Sequence, residues 1–191
     1  MPRPASDKRD RLTEAAVTLA YTRGFERTTI GDIAEQAGVA SGSVYYYFKT
    51  KDDVGRAIVD SLLARYQELI AEWEVSPDPR DRLAAYIDMN LRDAEHIQSY
   101  GCPIGSLCTE MRKVAPELGD EAAGILRMTI AWAAEQFQAL GFPAEASEAR
   151  AMHLVTGMQG AAVLSNALGS TEPLEREAAH LKRWITSTAT K

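Results

Sequence analysis

The chain has 191 residues and 46% apolar content, which suffice for one large domain or two small ones with a real hydrophobic core. Its 21 Lys and Arg against 27 Asp and Glu give a net charge of -6, which argues against a protein that coats nucleic acid over its whole surface. The two cysteines are too few for a disulfide framework.

Charged side chains crowd the first 25 residues, where a signal peptide needs an apolar stretch. No apolar run approaches the length of about 18 residues that a membrane span requires. We therefore expect a cytoplasmic protein without a membrane partner.

The charge is unevenly distributed along the chain. Residues 1–51 hold 8 Lys and Arg against 6 Asp and Glu, so the remaining 140 residues carry a net charge of -8. The segment from Gln36 to Lys51 contains no Asp or Glu, and it contains three adjacent tyrosines at positions 45–47. An anionic partner can bind this segment without repulsion.

The first part of the chain predicts three helices. Alanine occurs 30 times against 19 for valine plus isoleucine, and no stretch alternates with period 2, so we expect an all-α fold. A first helix runs from about Ser6 to Arg23 and ends at Gly24. Two short helices follow, at about 29–37 and 41–48, and Gly38-Val39-Ala40 joins them into a helix-turn-helix.

The remaining residues predict a helical bundle. A long fourth helix starts near Lys51 and stops before Pro77, so that it joins the two parts of the molecule. Five more helices follow, about nine in total, and Gly101 ends the fifth. We place the domains at 1–50 for the helix-turn-helix and 51–191 for the bundle.

The third helix carries polar side chains that the core does not require. Val44 and Phe48 account for its apolar face, which leaves hydrogen-bonding groups on the other side. Gly42 has no side chain to hold this helix away from a DNA backbone, and Lys51 together with the N–H groups at the next helix start suits a phosphate. A helix of this kind can enter the major groove.

The stretches Thr28-Thr29-Ile30-Gly31-Asp32-Ile33-Ala34 and Ala37-Gly38-Val39-Ala40-Ser41-Gly42-Ser43-Val44-Tyr45-Tyr46-Tyr47-Phe48-Lys49-Thr50-Lys51 resemble the DNA-binding signature of the TetR family of bacterial regulators. The resemblance covers about residues 8–60 and includes the Gly24-Phe25 turn. It implies a homodimer whose third helices read a palindromic operator on double-stranded DNA, and a bundle that binds a small-molecule effector. The predicted DNA-binding residues are Thr28, Thr29, Ser41, Gly42, Ser43, Tyr45, Tyr46 and Lys51.

An effector pocket is expected around residues 100–111, where two glycines and a proline interrupt the regular bundle. Soft apolar side chains that could line it are Met89, Leu107, Cys108, Met111, Met128 and Trp132. The alternative that most of these residues are simply core stays open. The ligand would be apolar or aromatic, with one or two polar anchors.

The dimer interface is expected on the last two predicted helices. Small residues on the eighth permit close approach, and leucines supply apolar area. The predicted interface residues are Gly157, Gly160, Ala161, Leu164, Leu168, Leu181, Trp184 and Ile185. A contact inside one subunit is the alternative.

The sequence predicts a regulator without enzymatic activity, because it contains none of the common local motifs of nucleotide binding, hydrolysis or metal-dependent proteolysis. Neither cofactor nor metal is expected, since the three histidines and two cysteines show no ligand spacing. We interpret the chain as a repressor released by a small molecule. The alternatives are a sensor that uses Cys102 or Cys108, a small-molecule-binding protein, and a helical enzyme, all without operator binding.

Overall fold

The computed structural model describes residues 5–187, so the outer ends of the two predicted domains, 1–4 and 188–191, lie outside the described residues. Between residues 5 and 187 the chain forms ten α-helices and no strand, which confirms the predicted all-helical fold. The helices are α1 (Ala5–Arg23), α2 (Ile30–Ala37), α3 (Ser41–Tyr47), α4 (Lys51–Trp73), α5 (Pro79–Arg92), α6 (Ala94–Tyr100), α7 (Pro103–Val114), α8 (Pro116–Ala139), α9 (Ala144–Leu168) and α10 (Glu172–Ser187).

The order of helices follows the prediction except at the fifth, which Asp93 divides into α5 and α6. The backbone of Asp93 leaves the helical region, with φ -97° and ψ 14°, and its N–H bonds to the carbonyl of Leu91. Its own carbonyl accepts from the N–H of Ile97 at 2.8 Å and so begins α6. The division therefore results from a single turn, which the apolar spacing of this segment does not reveal.

The described chain separates into two compact units. The first comprises the residues up to Tyr66 together with Ser106–Ile125, and the second comprises Gln67–Gly105 and the residues from Leu126 onward. Each of α4, α7 and α8 therefore contributes residues to both units. The functional division of the chain at residue 50 stays a prediction.

The core of the first unit joins the three N-terminal helices. Leu12 and Leu19 of α1, Ile33 of α2, and Val44 with Phe48 from the α3 segment are all buried. Burial of a large apolar side chain contributes about 1.5–3 kcal/mol, so these few contacts fix how the short helices pack. The outer side of α3 does not take part in this core.

In the second unit, α10 packs against α5 and α9, and α6 packs against α9. Leu83 and Ile87 of α5, Leu154 of α9, and Leu174 with Leu181 of α10 are completely buried. An ion pair between Lys182 and Asp88 joins α10 to α5 at the edge of this core. None of the helices described between residues 5 and 187 is long and apolar enough to cross a membrane.

Candidate nucleic-acid interface

The turn between α2 and α3 fixes the direction of α3. Gly38 adopts the left-handed conformation, with φ +62°, and its N–H bonds to the carbonyl of Glu35 at 3.0 Å. The N–H of Val39 bonds to the carbonyl of Ala34 at 2.9 Å, which closes the end of α2. The guanidinium of Arg11 donates to the carbonyls of Ala37 and Gly38, so that α1 also holds this turn.

A capping box fixes the start of α2. The N–H of Thr29 donates to the carboxylate of Asp32 at 2.9 Å, and the N–H of Asp32 donates to Thr29 Oγ1 at 3.2 Å. The hydrogen bonds from Thr29 hold the pKa of Asp32 below its ordinary value. The Thr29 side chain is exposed, but its hydroxyl is engaged in this cap.

The solvent-facing side of α3, which we call the α3 face, consists of Ser41, Gly42, Ser43, Tyr45 and Tyr46. Tyr46 is 75% exposed and Tyr45 is 55% exposed, although tyrosines usually bury much of their ring. Lys49 Nζ lies 6.0 Å from the Tyr46 ring centroid and donates to the carbonyl of Tyr45 at 2.6 Å. The α3 face thus presents hydroxyls and aromatic rings, with the ammonium group of Lys49 beside it.

The start of α4 is held by Asp53. Its Oδ2 accepts from the N–H groups of Thr50 and Lys49, each at 2.9 Å, and Thr50 Oγ1 accepts from the N–H of Asp53 at 3.1 Å. The backbone hydrogen bonds from Thr50 and Lys49 hold the pKa of Asp53 below its ordinary value. This cap fixes the short connection from α3 into α4.

Lys51 contacts the turn between α1 and α2. Its Nζ donates to the carbonyl of Glu26 and lies 5.1 Å from the centroid of the Phe25 ring. An ammonium has three N–H groups, so this contact leaves donors that can reach a phosphate. The sequence predicts Lys51 as a phosphate ligand, and it does not reveal this second role, a hydrogen bond within the first unit.

Thr28 is a correction to the predicted DNA-binding set. Its side chain is only 4% exposed, and its hydroxyl donates to the carbonyl of Gly24 at 2.8 Å. The side chain therefore stabilises the turn between α1 and α2 and is not available to DNA. The α3 face, Thr29 and Lys51 are accessible at the surface.

The predicted dimer residues separate into two groups. Ala161, Leu181 and Ile185 are buried inside the subunit, so they cannot contribute an intersubunit surface. A side chain at Gly157 would meet Glu177 and Leu181 of α10, which places this glycine in the intrasubunit contact as well.

Trp184 also packs within the subunit. It is half-buried, and its ring centroid lies 5.5 Å from that of Phe137 and 4.9 Å from that of His153. The exposed members of the predicted interface are Gly160, Leu164 and Leu168.

Exposed apolar residues on α9 form a surface that the sequence-based reasoning found only in part. Leu164 is 53% and Leu168 is 69% exposed; Met152, at 51%, and Val163, at 65%, were missed. These four positions do not follow a single helical repeat, so the sequence spacing alone does not reveal them. We call these four residues the α9 apolar surface.

The six predicted pocket residues divide between the two units. Leu107, Cys108 and Met111 are buried in the first unit, whereas Met89, Met128 and Trp132 belong to the second. Within the described chain, buried Trp132 Nε1 has no hydrogen-bond partner. The pocket stays a prediction, and the sequence does not reveal that the indole N–H of Trp132 is buried without a partner among the residues described.

Within residues 5–187 neither cysteine forms a disulfide, and both side chains are buried. Cys102 precedes α7, and its Sγ accepts hydrogen bonds from Gln159 Nε2 at 3.2 Å and from the N–H of Gly105 at 3.4 Å. Across residues 5–187, the structure brings together no group of three or more His, Cys, Asp or Glu residues that could hold a metal ion.

Two short helices joined by a tight glycine turn, with an exposed polar second helix, define the helix-turn-helix class of regulatory proteins. The sequence matches the family described as "Bacterial regulatory proteins, tetR family" over residues 12–58. Residues 79–180 match "Transcriptional regulator LmrA/YxaF-like, C-terminal domain". The chain therefore belongs to the TetR family of bacterial regulators.

Curated relatives carry regulatory names. The chain is 33% identical over 99 residues to the HTH-type transcriptional repressor KstR2 of Mycolicibacterium smegmatis, a match that covers 50% of this chain and 47% of that protein. It is 43% identical over 79 residues to the HTH-type transcriptional regulator TtgR of Pseudomonas putida, covering 38% and 37%. The chain thus spans about half the length of these relatives, or less.

Solved structures share the fold along almost the whole chain. A TetR transcriptional regulator from Legionella pneumophila matches with a TM-score of 0.84 at 17% identity, over 99% of both chains. A TetR regulator from Chloroflexus aurantiacus matches with a TM-score of 0.84 at 24% identity, over 96% of both chains. At these identities the similarity establishes the architecture alone.

Proposed function

We propose that this chain is a transcriptional repressor that binds a pseudo-palindromic DNA operator as a homodimer and releases it when a small molecule binds the bundle. The observation that carries the proposal is the α3 face, which is polar, acid-free and exposed on the second helix of a helix-turn-helix. The repressor name of the KstR2 relatives supports the sign of the regulation.

The α3 face has the chemistry of a base-reading surface. The major groove is about 12 Å wide and admits one helix, and hydroxyl groups can donate to or accept from base edges. Apart from the backbone of α3 and the chain neighbours of Gly42, no atom of the described residues lies within 4 Å of the position that a Cβ would take there, so the backbone is open to close approach by DNA. Backbone N–H groups and ammonium groups such as Lys51 would position the helix on phosphates.

The α9 apolar surface supports the dimer. A helix that is apolar on two opposite sides needs a partner on both, and α10 covers one side of α9 within the subunit. A two-fold axis would place the same four residues against their copies. Such a dimer can set two recognition helices one DNA turn apart, about 34–36 Å.

Aromatic residues of the second unit support an aromatic effector. The ring centroid of Trp73 lies 5.1 Å from that of Trp132 and 6.0 Å from that of Tyr86. An unpaired buried N–H costs about 1–3 kcal/mol, so a ligand with an acceptor at Trp132 Nε1 would gain by pairing with it. Effector binding that weakens operator affinity 100-fold corresponds to a coupling free energy of about 2.7 kcal/mol.

Selection of bound duplexes from a random-sequence DNA library tests the proposal. We expect enrichment of a two-fold symmetric sequence whose half-sites lie about 10 base pairs apart, or a multiple of that distance. The selection is repeated with Tyr46→Ala, which should enrich a different or less defined sequence. Recovery of unrelated sequences by the natural chain would contradict operator recognition.

A further inference from the structure

The carboxylate of Glu110, on α7, holds the turn between α1 and α2. One oxygen accepts from the N–H of Phe25 and the other from the N–H of Glu26, both at 2.9 Å. Gly24, with φ +93°, lets the turn approach so closely that a Cβ there would lie 2.9 Å from Glu110 Oε1. Two charge-assisted hydrogen bonds thus join Glu110 to residues that lie 85 and 84 positions before it in the sequence.

The same turn is in contact with α4. A Cβ built at Gly55 of α4 would lie 2.5 Å from Leu118 of α8 and 3.1 Å from the ring of Phe25. Both side chains therefore pack against the backbone of α4 at this glycine. Lys51 donates to the carbonyl of Glu26 from the start of α4. The turn is therefore held on its N–H side by α7 and on its carbonyl side by α4.

This turn is also the base from which the helix-turn-helix projects. The Thr28 hydroxyl donates to the carbonyl of Gly24, and the capping box of α2 begins at the next residue, Thr29. A displacement of the turn consequently moves the start of α2 and, through the turn at Gly38, the α3 face. The sequence predicts only the fourth helix as a connection between the two parts of the molecule.

We infer that Glu110 is a positioning residue that couples α7 directly to the operator-binding helices through the turn between α1 and α2; this rests on the function proposed above. α7 is one of the three helices shared by the two compact units, since its first residues belong to the second unit and Glu110 belongs to the first. A change in α7 is transmitted to the α3 face through two hydrogen bonds. By thermodynamic reciprocity, operator binding must in turn change the local stability of α7.

Hydrogen exchange of the full chain, with and without the selected operator duplex, tests this coupling and needs no known effector. In the natural chain, we expect operator binding to slow amide exchange both in residues 24–47 and in α7. In Glu110→Ala, exchange in residues 24–47 should still slow while the change in α7 is lost. Operator affinity should fall less than about tenfold, because the bases are still contacted.

Two further variants separate coupling from a loss of folding. Glu110→Gln keeps one acceptor oxygen and removes the other, so it should retain part of the operator-induced change in α7. Glu117→Ala removes an exposed carboxylate at the start of α8 and should behave like the natural chain.

The outcomes distinguish this inference from the proposed function. If the natural chain binds the operator but amide exchange in α7 does not change, the coupling alone is overturned. The same holds if both Glu110 variants show the operator-induced change in α7 that the natural chain shows. A natural chain that binds no selected duplex overturns operator recognition and the coupling together.

Discussion

Tyr46 is the residue of the α3 face on which sequence recognition should depend most. Its ring is three-quarters exposed, with an edge-on contact to Tyr47 at 5.0 Å, so it is presented outward in a defined orientation. We expect Tyr46→Ala to weaken operator binding about tenfold or more, in line with about 1–3 kcal/mol for a good base contact. Stability should change by less than about 0.5 kcal/mol, because the side chain is on the surface.

Fluorescence anisotropy with the selected duplex and thermal unfolding measure the two effects of Tyr46→Ala separately. Tyr100→Ala is the matched control, since it removes another exposed tyrosine that lies in the second unit. Equal operator affinity for the Tyr46 variant and the natural chain would exclude Tyr46 from the interface.

Substitution of Gly42 tests whether DNA closely approaches the backbone of α3 at this position. Among the described residues, only the backbone of α3 and the chain neighbours of Gly42 come within 4 Å of a Cβ built there, so Gly42→Ala fits the free protein. We expect the free energy of unfolding to rise by about 0.5–1 kcal/mol, because alanine favours the helix. Operator affinity should nevertheless fall, since the added methyl group would lie between α3 and DNA.

Calorimetry and anisotropy on Gly42→Ala check these opposite signs. Gly31→Ala, at an exposed position of α2, is the control: its Cβ would make only an ordinary contact with Thr29 Oγ1 at 3.6 Å. If the Gly42 and Gly31 variants bind the operator with equal affinity, DNA does not approach Gly42 closely.

At the scale of single elements, Asp53 makes the start of α4 sensitive to acid. Its folded pKa is below the ordinary value of 3.8, so its contribution to stability is present above that value and is lost as the pH falls through the folded pKa. We expect Asp53→Asn to have a lower thermal midpoint than the natural chain at about pH 5, with the difference shrinking towards about pH 3.

Unfolding monitored by circular dichroism across this range tests the cap. Asp52→Asn, at an exposed neighbouring position in the first turn of α4, serves as the control. A difference for Asp53→Asn that stays constant or widens on acidification would contradict the stated role of the carboxylate.

Features that depend on local contacts could be predicted from the sequence, whereas features that depend on distant contacts could not. The apolar spacing and the glycines at positions 24 and 38 predict helices and their ends, because a left-handed cap is a local requirement. The Thr29 and Asp32 cap likewise lies within four residues. The contact from Glu110 to Phe25 was not predictable, because nothing in either segment specifies which distant element it meets.

Burial explains the remaining errors at individual sites. Thr28 lies on a family position associated with DNA, yet the close turn at Gly24 takes its hydroxyl. On α9, small and apolar residues occur on both sides, so sequence periodicity alone could not tell which side faces α10. The structure assigns Ala161 to the buried side and Leu164 to the exposed side.

At the scale of the whole molecule, the α9 apolar surface should determine the oligomeric state. Leu164→Asp combined with Leu168→Asp places two charges in the proposed interface while leaving the subunit core intact, since both positions are exposed. We expect a folded monomer in sedimentation velocity and loss of tight binding to the full palindrome, because each half-site would be bound alone.

Val75→Asp is the control for this pair of substitutions, since it places a charge on an apolar residue that is 83% exposed in the connection between α4 and α5. It should sediment like the natural chain. A dimer that survives both leucine substitutions would place the interface elsewhere.

The measurement that tests operator recognition most directly is equilibrium competition between the selected palindrome and a scrambled duplex of the same composition, at two salt concentrations. We expect the natural chain to bind the palindrome at least about 10³-fold more tightly than the scrambled duplex and to keep a clear preference at the higher salt concentration. Equal affinity for the two duplexes, with the same steep dependence on salt, would contradict this expectation.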